Sequence, residues 1–437
     1  MRIKQIKKHF NSAINEIAEH PQDYCFDPER DFTRKRKISA KDVIKGVINM
    51  SGSSLKNEVI DMFMESSDMP TTPAFIQQRD KLKPTAFEAV LNKFTAAISQ
   101  GGRNLPILAV DGSNITLPTN PNDKDTYVCG KSPKEAFNCL HLNALYDLNM
   151  HIYRAAVVQD GAYKDERKAF RQMVDNSDIP KALVIADRGY ESYNDMAHVQ
   201  EKGWYFLIRA KDGNNGIKSG LDLPDEDCFD VSISLKLTRK GTKEAKRLFE
   251  RKNEYKLVSG RTMLDYLPQS VKISDPFVTY ELNFRVVRFK ITENSYETIL
   301  TNLDREHYPP NKLKKLYALR WGVETSFRHL KYTIGLLKYH SKKTMCIRQE
   351  IFARLAFYNF AEVITSHVSI STKERKHMYK CNFSVAAHMC RLFLRGMALS
   401  SVVEFTIGQE LIPIRPGRKR KRSVVGSSMQ TFYYRVA

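Results

Sequence analysis

The chain has 437 residues, too many for one small core, and its 42% hydrophobic and 10% aromatic content is that of a globular protein with two or three domains. Its 70 Lys and Arg outnumber its 49 Asp and Glu for a net charge of +21, which suits a polyanionic partner, because each phosphate neutralised releases condensed counterions. No run reaches the ~18 apolar residues of a membrane span, MRIKQIKKHF lacks the apolar core of a secretory signal, and seven scattered Cys without a CxxC pair read as reduced thiols in the cytosol.

Residues 1–100 read as a helical, basic region. ISAKDVIKGVINM has apolar residues at helical spacing after the run Arg34, Lys35, Arg36, Lys37. SSLKNEVIDMFM and PAFIQQRDKL flank the break Met69-Pro70-Thr71-Thr72-Pro73. Such a pair forms either a helix-turn-helix that presents Gln77, Gln78 and Arg79 to DNA, or an ordinary helical hairpin with a solvated polar face.

From residue 105 the pattern changes to strands. LPILAVDGS is an apolar run that ends in a turn, and NCLHLNALYDL and HIYRAAVVQ follow it. DERKAFRQMVDNS has helical spacing, ALVIADRGY is another buried strand, YNDMAHVQEKG a helix and WYFLIRAK a fifth strand. Three strands, helix, strand, helix, strand is the order of a ribonuclease-H-like α/β core. This first part of the core spans 101–211. Residues 212–305 alternate strictly in DVSISLKLTRK and in parts of TYELNFRVVRFKI, the pattern of an antiparallel β-rich insertion. One long helix after Pro309-Pro310, NKLKKLYALRWGVETSFRHLKYTIGL, dominates residues 306–345. Residues 346–437 read as a helical C-terminal region with a basic tail, Arg415 to Arg422. Within it His377, Cys381, His388 and Cys390 fit no usual zinc spacing.

Three carboxylates stand out. Asp111 and Asp187 each close an apolar strand, where ligands collect in open α/β sheets, although an Asp there is also a common turn former. On the long helix Arg320, Glu324 and Lys331 fall within about 40° of one another, and Tyr317 lies about 20° from Glu324. Alone, that face reads as a surface ion-pair ladder. Beside two strand-end aspartates in a basic protein it reads as a site for metal and phosphate. Hard Mg²⁺ or Mn²⁺ takes oxygen ligands, and a pair of such ions activates water and stabilises a departing 3′-oxygen.

VDGS at Asp111, ADRGY at Asp187 and YALRWGVETSFRHLK from Tyr317 to Lys331 resemble the three signature blocks of bacterial insertion-sequence transposases. The subgroup they resemble is the insertion-sequence-four family of Asp-Asp-Glu transposases, marked by Tyr-x₂-Arg-x₃-Glu-x₆-Lys. FTRKRKIS, AFIQQRDKLKPTAF, NFSVAA and IRPGR resemble family sequence too. The resemblance implies that Asp111, Asp187 and Glu324 are catalytic and hold two Mg²⁺ or Mn²⁺ ions. It implies that Tyr317, Arg320, Lys331 and Arg188 contact DNA phosphates. The implied activity is hydrolysis at the terminal inverted repeats of a transposon, then attack of each 3′-hydroxyl on target DNA by a homodimer in the bacterial cytoplasm, nucleoid-associated. Relatives with the β insertion can pass through a hairpin with a flipped base stacked on an aromatic side chain, a Trp of the insertion in characterised relatives. Here the two Trp, Trp204 and Trp321, lie outside 212–305; Phe284, Phe289 or Tyr280 either takes that stacking role or belongs to the sheet core, and Trp321 is expected to pack its helix. A transposase-derived repressor that binds DNA without cutting it, and a structure-specific nuclease, are the alternative readings.

Overall fold

The computed structural model describes residues 2–64, 68–99, 104–129, 136–211, 213, 216–272, 277–370, 378–414 and 433–434. The basic stretch 415–422 and His377 lie outside the described residues.

Five helices come first: α1 (Ile3–Glu19), α2 (Ala40–Asn49), α3 (Leu55–Phe63), α4 (Thr72–Arg79) and α5 (Thr85–Ser99). Ile3, Ile6, Phe10, Ala13, Ile14 and Ile17 recur at three- and four-residue spacing, so α1 buries one stripe. Ser39 and Asp42 cap α2 reciprocally, each bonding the other's backbone N–H, at 3.2 and 2.9 Å. The strands β1 (Ile107–Thr116), β2 (Tyr127–Val128), β3 (Phe137–Asp147) and β4 (Ile152–Asp160) precede α6 (Glu166–Asp175), β5 (Leu183–Ala186), α7 (Tyr193–Glu201) and β6 (Tyr205–Arg209). β7 (Phe229–Thr238), α8 (Lys243–Leu248), β8 (Tyr255–Leu257), β9 (Tyr280–Thr292) and β10 (Ser295–Thr301) follow. α9 (Pro310–Ala318), α10 (Trp321–Arg328), β11 (Lys338–Tyr339), α11 (Thr344–His367), β12 (Tyr379–Cys381), α12 (Phe383–Arg395), α13 (Ser400–Gln409), β13 (Leu411–Pro413) and a two-residue strand at Tyr433–Tyr434 complete the described helices and strands, apart from short 3-10 and π turns.

One ten-stranded sheet runs β2-β3-β1-β5-β6-β10-β9-β7-β8, with β4 on the free side of β3. β3 is antiparallel to both β1 and β4, whereas β1, β5 and β6 run parallel. Parallel neighbours require crossovers, and α7 supplies the one from β5 to β6. β10 pairs with β6, so residues 229–301 extend this same sheet.

Alternation along β1 assigns its two faces. Leu108 and Val110 pack with Phe170 and Val174 of α6 and with Met196 and Ala197 of α7. Ala109 and Ile115 face the other way, into a core shared with α1, α5, α10 and α11. α11 is buried on nearly every side, which explains why its sequence is apolar without a clear stripe.

Two sequence expectations need correction. α3 and α4 do form, but Gln78 and Arg79 face inward. Arg79 is 2% exposed and donates to Gln349 Oε1 at 2.8 Å, to the Cys346 carbonyl at 2.7 Å and to Glu350 Oε1 at 3.0 Å, all on α11. A guanidinium with three buried acceptors is not offered to DNA, and only Gln77 of the trio is exposed. The single long helix is instead two helices and a wide turn. At Leu319 and Arg320 the backbone changes to i→i−3 bonding, with Arg320 N–H to Tyr317 O at 3.0 Å and Gly322 N–H to Leu319 O at 2.8 Å. After α10 the chain widens into a π-helical turn, His329–Ile334, which Gly335 ends at φ +92. The uniform 100° step therefore does not extend from Tyr317 to Lys331.

Candidate active site

Asp111 does not end its strand. β1 continues to Thr116, paired with β3 throughout, while its pairing with the shorter β5 stops at Ala109 opposite Ile185. A notch opens where β1 outruns β5, with Asp111 on one side. Two further steps of the same register bring Asp187, the residue after β5, level with Asp111 on the neighbouring strand, and adjacent strands lie about 4.8 Å apart. Asp111 shares its face with Ala109, towards α10.

The glycines of the two motifs have distinct spatial reasons. A Cβ at Gly112 would lie 2.4 Å from Nε2 of His141, which fills the space behind Asp111. A Cβ at Gly189 would lie 2.9 Å from Oδ1 of Asp187, the oxygen that accepts the Gly189 N–H at 2.7 Å. Each carboxylate thus has one oxygen steadied by a backbone N–H, since Asp111 Oδ1 accepts from Gly112 N at 2.8 Å.

Glu324 is half-buried on α10 and accepts from Arg320 at 2.8 Å. The Arg320 guanidinium is 8% exposed and lies over the Trp321 ring at 4.9 Å. Its Nε–H is buried and, among the described residues, has no hydrogen-bond partner, which leaves a donor for an oxygen anion. Trp321 is 52% exposed, so it does not pack the helix as expected but forms a platform beside the site.

The charges of these groups act on one another. Burial pushes the Asp111 carboxyl up to about 6; the Gly112 N–H and Arg320 oppose that rise, and the negative Asp187 and Glu324 add to it. Burial pushes Tyr317 up to about 12, with Arg320 opposing. Burial lowers Lys331, which donates to the Asn114 carbonyl at 3.3 Å and feels Asp111. Burial also pulls Arg320 down, but its bond to Glu324 and the charges of Glu324 and Asp111 reverse that and raise it. Asp111, Asp187, Glu324, Tyr317, Arg320 and Lys331 therefore form one electrostatic unit. Arg188 is exposed on the turn after Asp187.

Among the described residues, no three His, Cys, Asp or Glu side chains are already gathered as a metal-holding group. The donor set nevertheless suits a hard cation. It offers only carboxylate oxygens, and their mutual repulsion at Asp111 is what an added positive charge relieves. Arg320 bonds Glu324 through Oε1, so the carboxylate's second oxygen would be the one to hold a cation.

Arg167, on α6, is a residue the sequence did not single out. It grips the turn after Asp187 from below, bonding the carbonyls of Gly189 at 2.9 Å and Glu191 at 3.1 Å. Nothing in its local spacing marks it, because its partners come from 22 and 24 residues away. Phe284, Phe289 and Tyr280 are buried in the sheet or beneath it, at 3%, 6% and 9% exposure.

Residues 102–360, more than half of the chain, match the family described as Transposase DDE domain. Among solved structures, the cryo-EM structure of a piggyBac transposase synaptic complex with hairpin DNA is similar at a TM-score of 0.46 and 11% identity, over 96% of this chain and 87% of that one. No curated protein matches the chain. On the family match, which spans Asp111, Asp187 and Glu324 together, the chain belongs to the transposase DDE domain family.

Proposed function

We propose that the protein is a cut-and-paste transposase of the insertion-sequence-four type, which cleaves DNA at the ends of its element and joins the freed 3′-hydroxyls to target DNA. The observation that carries this reading is the electrostatic coupling of Asp111 to Asp187, Glu324 and Arg320 at the notch between β1 and β5. The sheet order β4-β3-β1-β5-β6, antiparallel then parallel, supports the ribonuclease-H-like description of the core, with 212–305 as its β-rich insertion.

Two Mg²⁺ or Mn²⁺ ions held by Asp111, Asp187 and Glu324 would supply an activated water and charge stabilisation at the attacked phosphate. The protein's own groups do the rest. Arg320 would present its Nε–H to one phosphate while its Nη2 stays on Glu324. Lys331 and Tyr317 border the same charge cluster, and Arg188 reaches from the solvent side. No nucleotide energy source is needed, because one phosphodiester replaces another.

With Arg79 turned inward, the surface best suited to the duplex beyond the active site is the α1–α2 face. Lys7, Lys41 and Lys45 are crowded there: burial lowers Lys7 and Lys45, and each feels a neighbouring lysine. An anionic backbone relieves that crowding. In this reading the DNA-bearing complex is a homodimer that synapses two terminal inverted repeats, and it works at the bacterial nucleoid. Incubation with Mg²⁺ and DNA carrying the element's own ends tests the function. Excised or joined products support it. Binding without cutting points to a transposase-derived repressor.

A further inference from the structure

We infer that Tyr153 is a positioning residue for Glu324, an inference that rests on the functional reading above. The residue sits at an irregularity in the sheet. The β3–β4 register shifts between Leu145 and Tyr146, so Leu145 faces Ala155 while Tyr146 faces Tyr153, and Arg154 is the extra residue of a bulge. Bulges re-aim side chains, and this one turns Tyr153 into the core between the sheet and the helices.

Three elements meet on Tyr153. Asn359 of α11 accepts the Tyr153 N–H and donates to its carbonyl, both at 2.8 Å, and Asn359 is itself held by Thr95 of α5 at 3.0 Å. The Tyr153 hydroxyl lies 2.9 Å from Oγ of Ser326 on α10. Proton bookkeeping fixes the direction of that bond. Ser326 spends its one hydroxyl proton on the Val323 carbonyl at 2.7 Å, so Tyr153 donates and Ser326 accepts. Tyr153 and Ser326 are 0% and 1% exposed, so neither has water as a substitute partner.

Ser326 lies two residues beyond Glu324, about 200° around the helix axis and thus on the opposite side of α10. A bond on the buried side fixes the roll of the helix and with it the direction of the carboxylate on the other side. α10 needs such a tie. It is eight residues long, preceded by the tight turn at Leu319 and Arg320 and followed by a π turn, so neither end imposes a regular phase.

The test uses the full chain with Tyr153→Phe, Ser326→Ala and the double variant. Mn²⁺ binding to the DNA-free protein is followed by electron paramagnetic resonance, beside end-cleavage rates at varied Mn²⁺ and thermal unfolding. Tyr153→Phe keeps the ring and its packing, so unfolding stays cooperative. Each single variant is expected to raise the Mn²⁺ concentration for half-occupancy roughly tenfold, the low end for outer-shell partners of metal ligands. The double variant is expected to be no worse than either single, because both break one bond. Unchanged Mn²⁺ binding in Tyr153→Phe overturns the inference, as do additive losses, which mark general loosening of the core. If the wild type binds Mn²⁺, and responds to Tyr153→Phe, yet cuts no DNA end, the positioning role stands and the transposase reading falls.

Discussion

Asp111 is the residue whose chemistry and stability oppose each other most plainly. Its folded pKa, raised to about 6 from 3.8, means that the fold prefers the neutral carboxyl. The sign follows from that: this stabilising preference is complete below about 3.8 and is lost as pH rises through about 6. Above pH 6 the ionised group costs up to about 3 kcal/mol. Asp111→Asn, which mimics the neutral form, should abolish cutting, retain DNA binding and unfold at higher temperature than the wild type in chelator at pH 8. The advantage should vanish near pH 4, as differential scanning calorimetry at the two pH values would show. Arg320→Ala should also stop cutting, and should flatten the dependence of DNA affinity on salt by about one phosphate's worth, a slope change of about 0.9. An unaltered slope in a salt titration would remove Arg320 from the phosphate contacts. At this scale the sequence was informative. Asp111 and Asp187 show because apolar strands stop or open beside them, and Glu324 shows because four residue types share one spaced motif. Trp321 was misread because a lone Trp on a helix gives no sign of which way it faces, and here Arg320 holds its ring at the surface.

Among the elements, the junction between α4 and α11 is the most demanding electrostatically. Glu350 is 0% exposed, and burial alone would raise its pKa. Arg79, His340 and Arg354 hold it down to about 2 instead. A depressed carboxylate contributes stability above its ordinary value near 4.5, which is lost as pH falls through about 2. Glu350→Gln leaves the buried Arg79 and Arg354 without their carboxylate, so it should destabilise the protein by about 3–5 kcal/mol in urea unfolding at pH 7, and Arg79→Ala, which leaves Glu350 two other cations, should cost less. A loss below about 1 kcal/mol would mean that water reaches the pair. This junction was not legible in the sequence. Arg79 sits in a polar run, QQR, that reads as solvated, and its partners lie some 270 residues away. The same blindness explains the missed break in the long helix. Leu319 and Arg320 are good helix formers, and only the packing of α9 on β9 and of α10 on β1 separates the two halves.

For the whole molecule, the strand and helix order in 105–211 was readable from periodicity, apart from the two-residue β2, because buried strands and amphipathic helices leave different patterns. How 229–301 attaches was not, since an alternating strand does not reveal which edge it joins. The charge balance is also a property of the whole molecule, and it makes a further prediction. Replacing Lys7, Lys41 and Lys45 together by Gln should lower DNA affinity at fixed salt and reduce the salt slope by roughly 2–3, with Mn²⁺ binding to the DNA-free protein unaffected. Filter-binding titrations over a range of salt concentrations would decide it, and a slope equal to that of the wild type would place the duplex elsewhere.

The ladder between β1 and β3 has one more consequence. Side chains on a strand alternate with a period of two, so sliding β1 by a single position would send Asp111 towards α6 and bring Gly112, which has no ligand to offer, to the notch. Nine consecutive partners from Leu108–Asp147 to Thr116–Cys139 oppose that slide. A one-residue deletion between 107 and 110 should therefore be tolerated only if the chain before the strand supplies the missing residue, since a reversed phase would also turn the buried Leu108, Ala109 and Val110 out of their two cores.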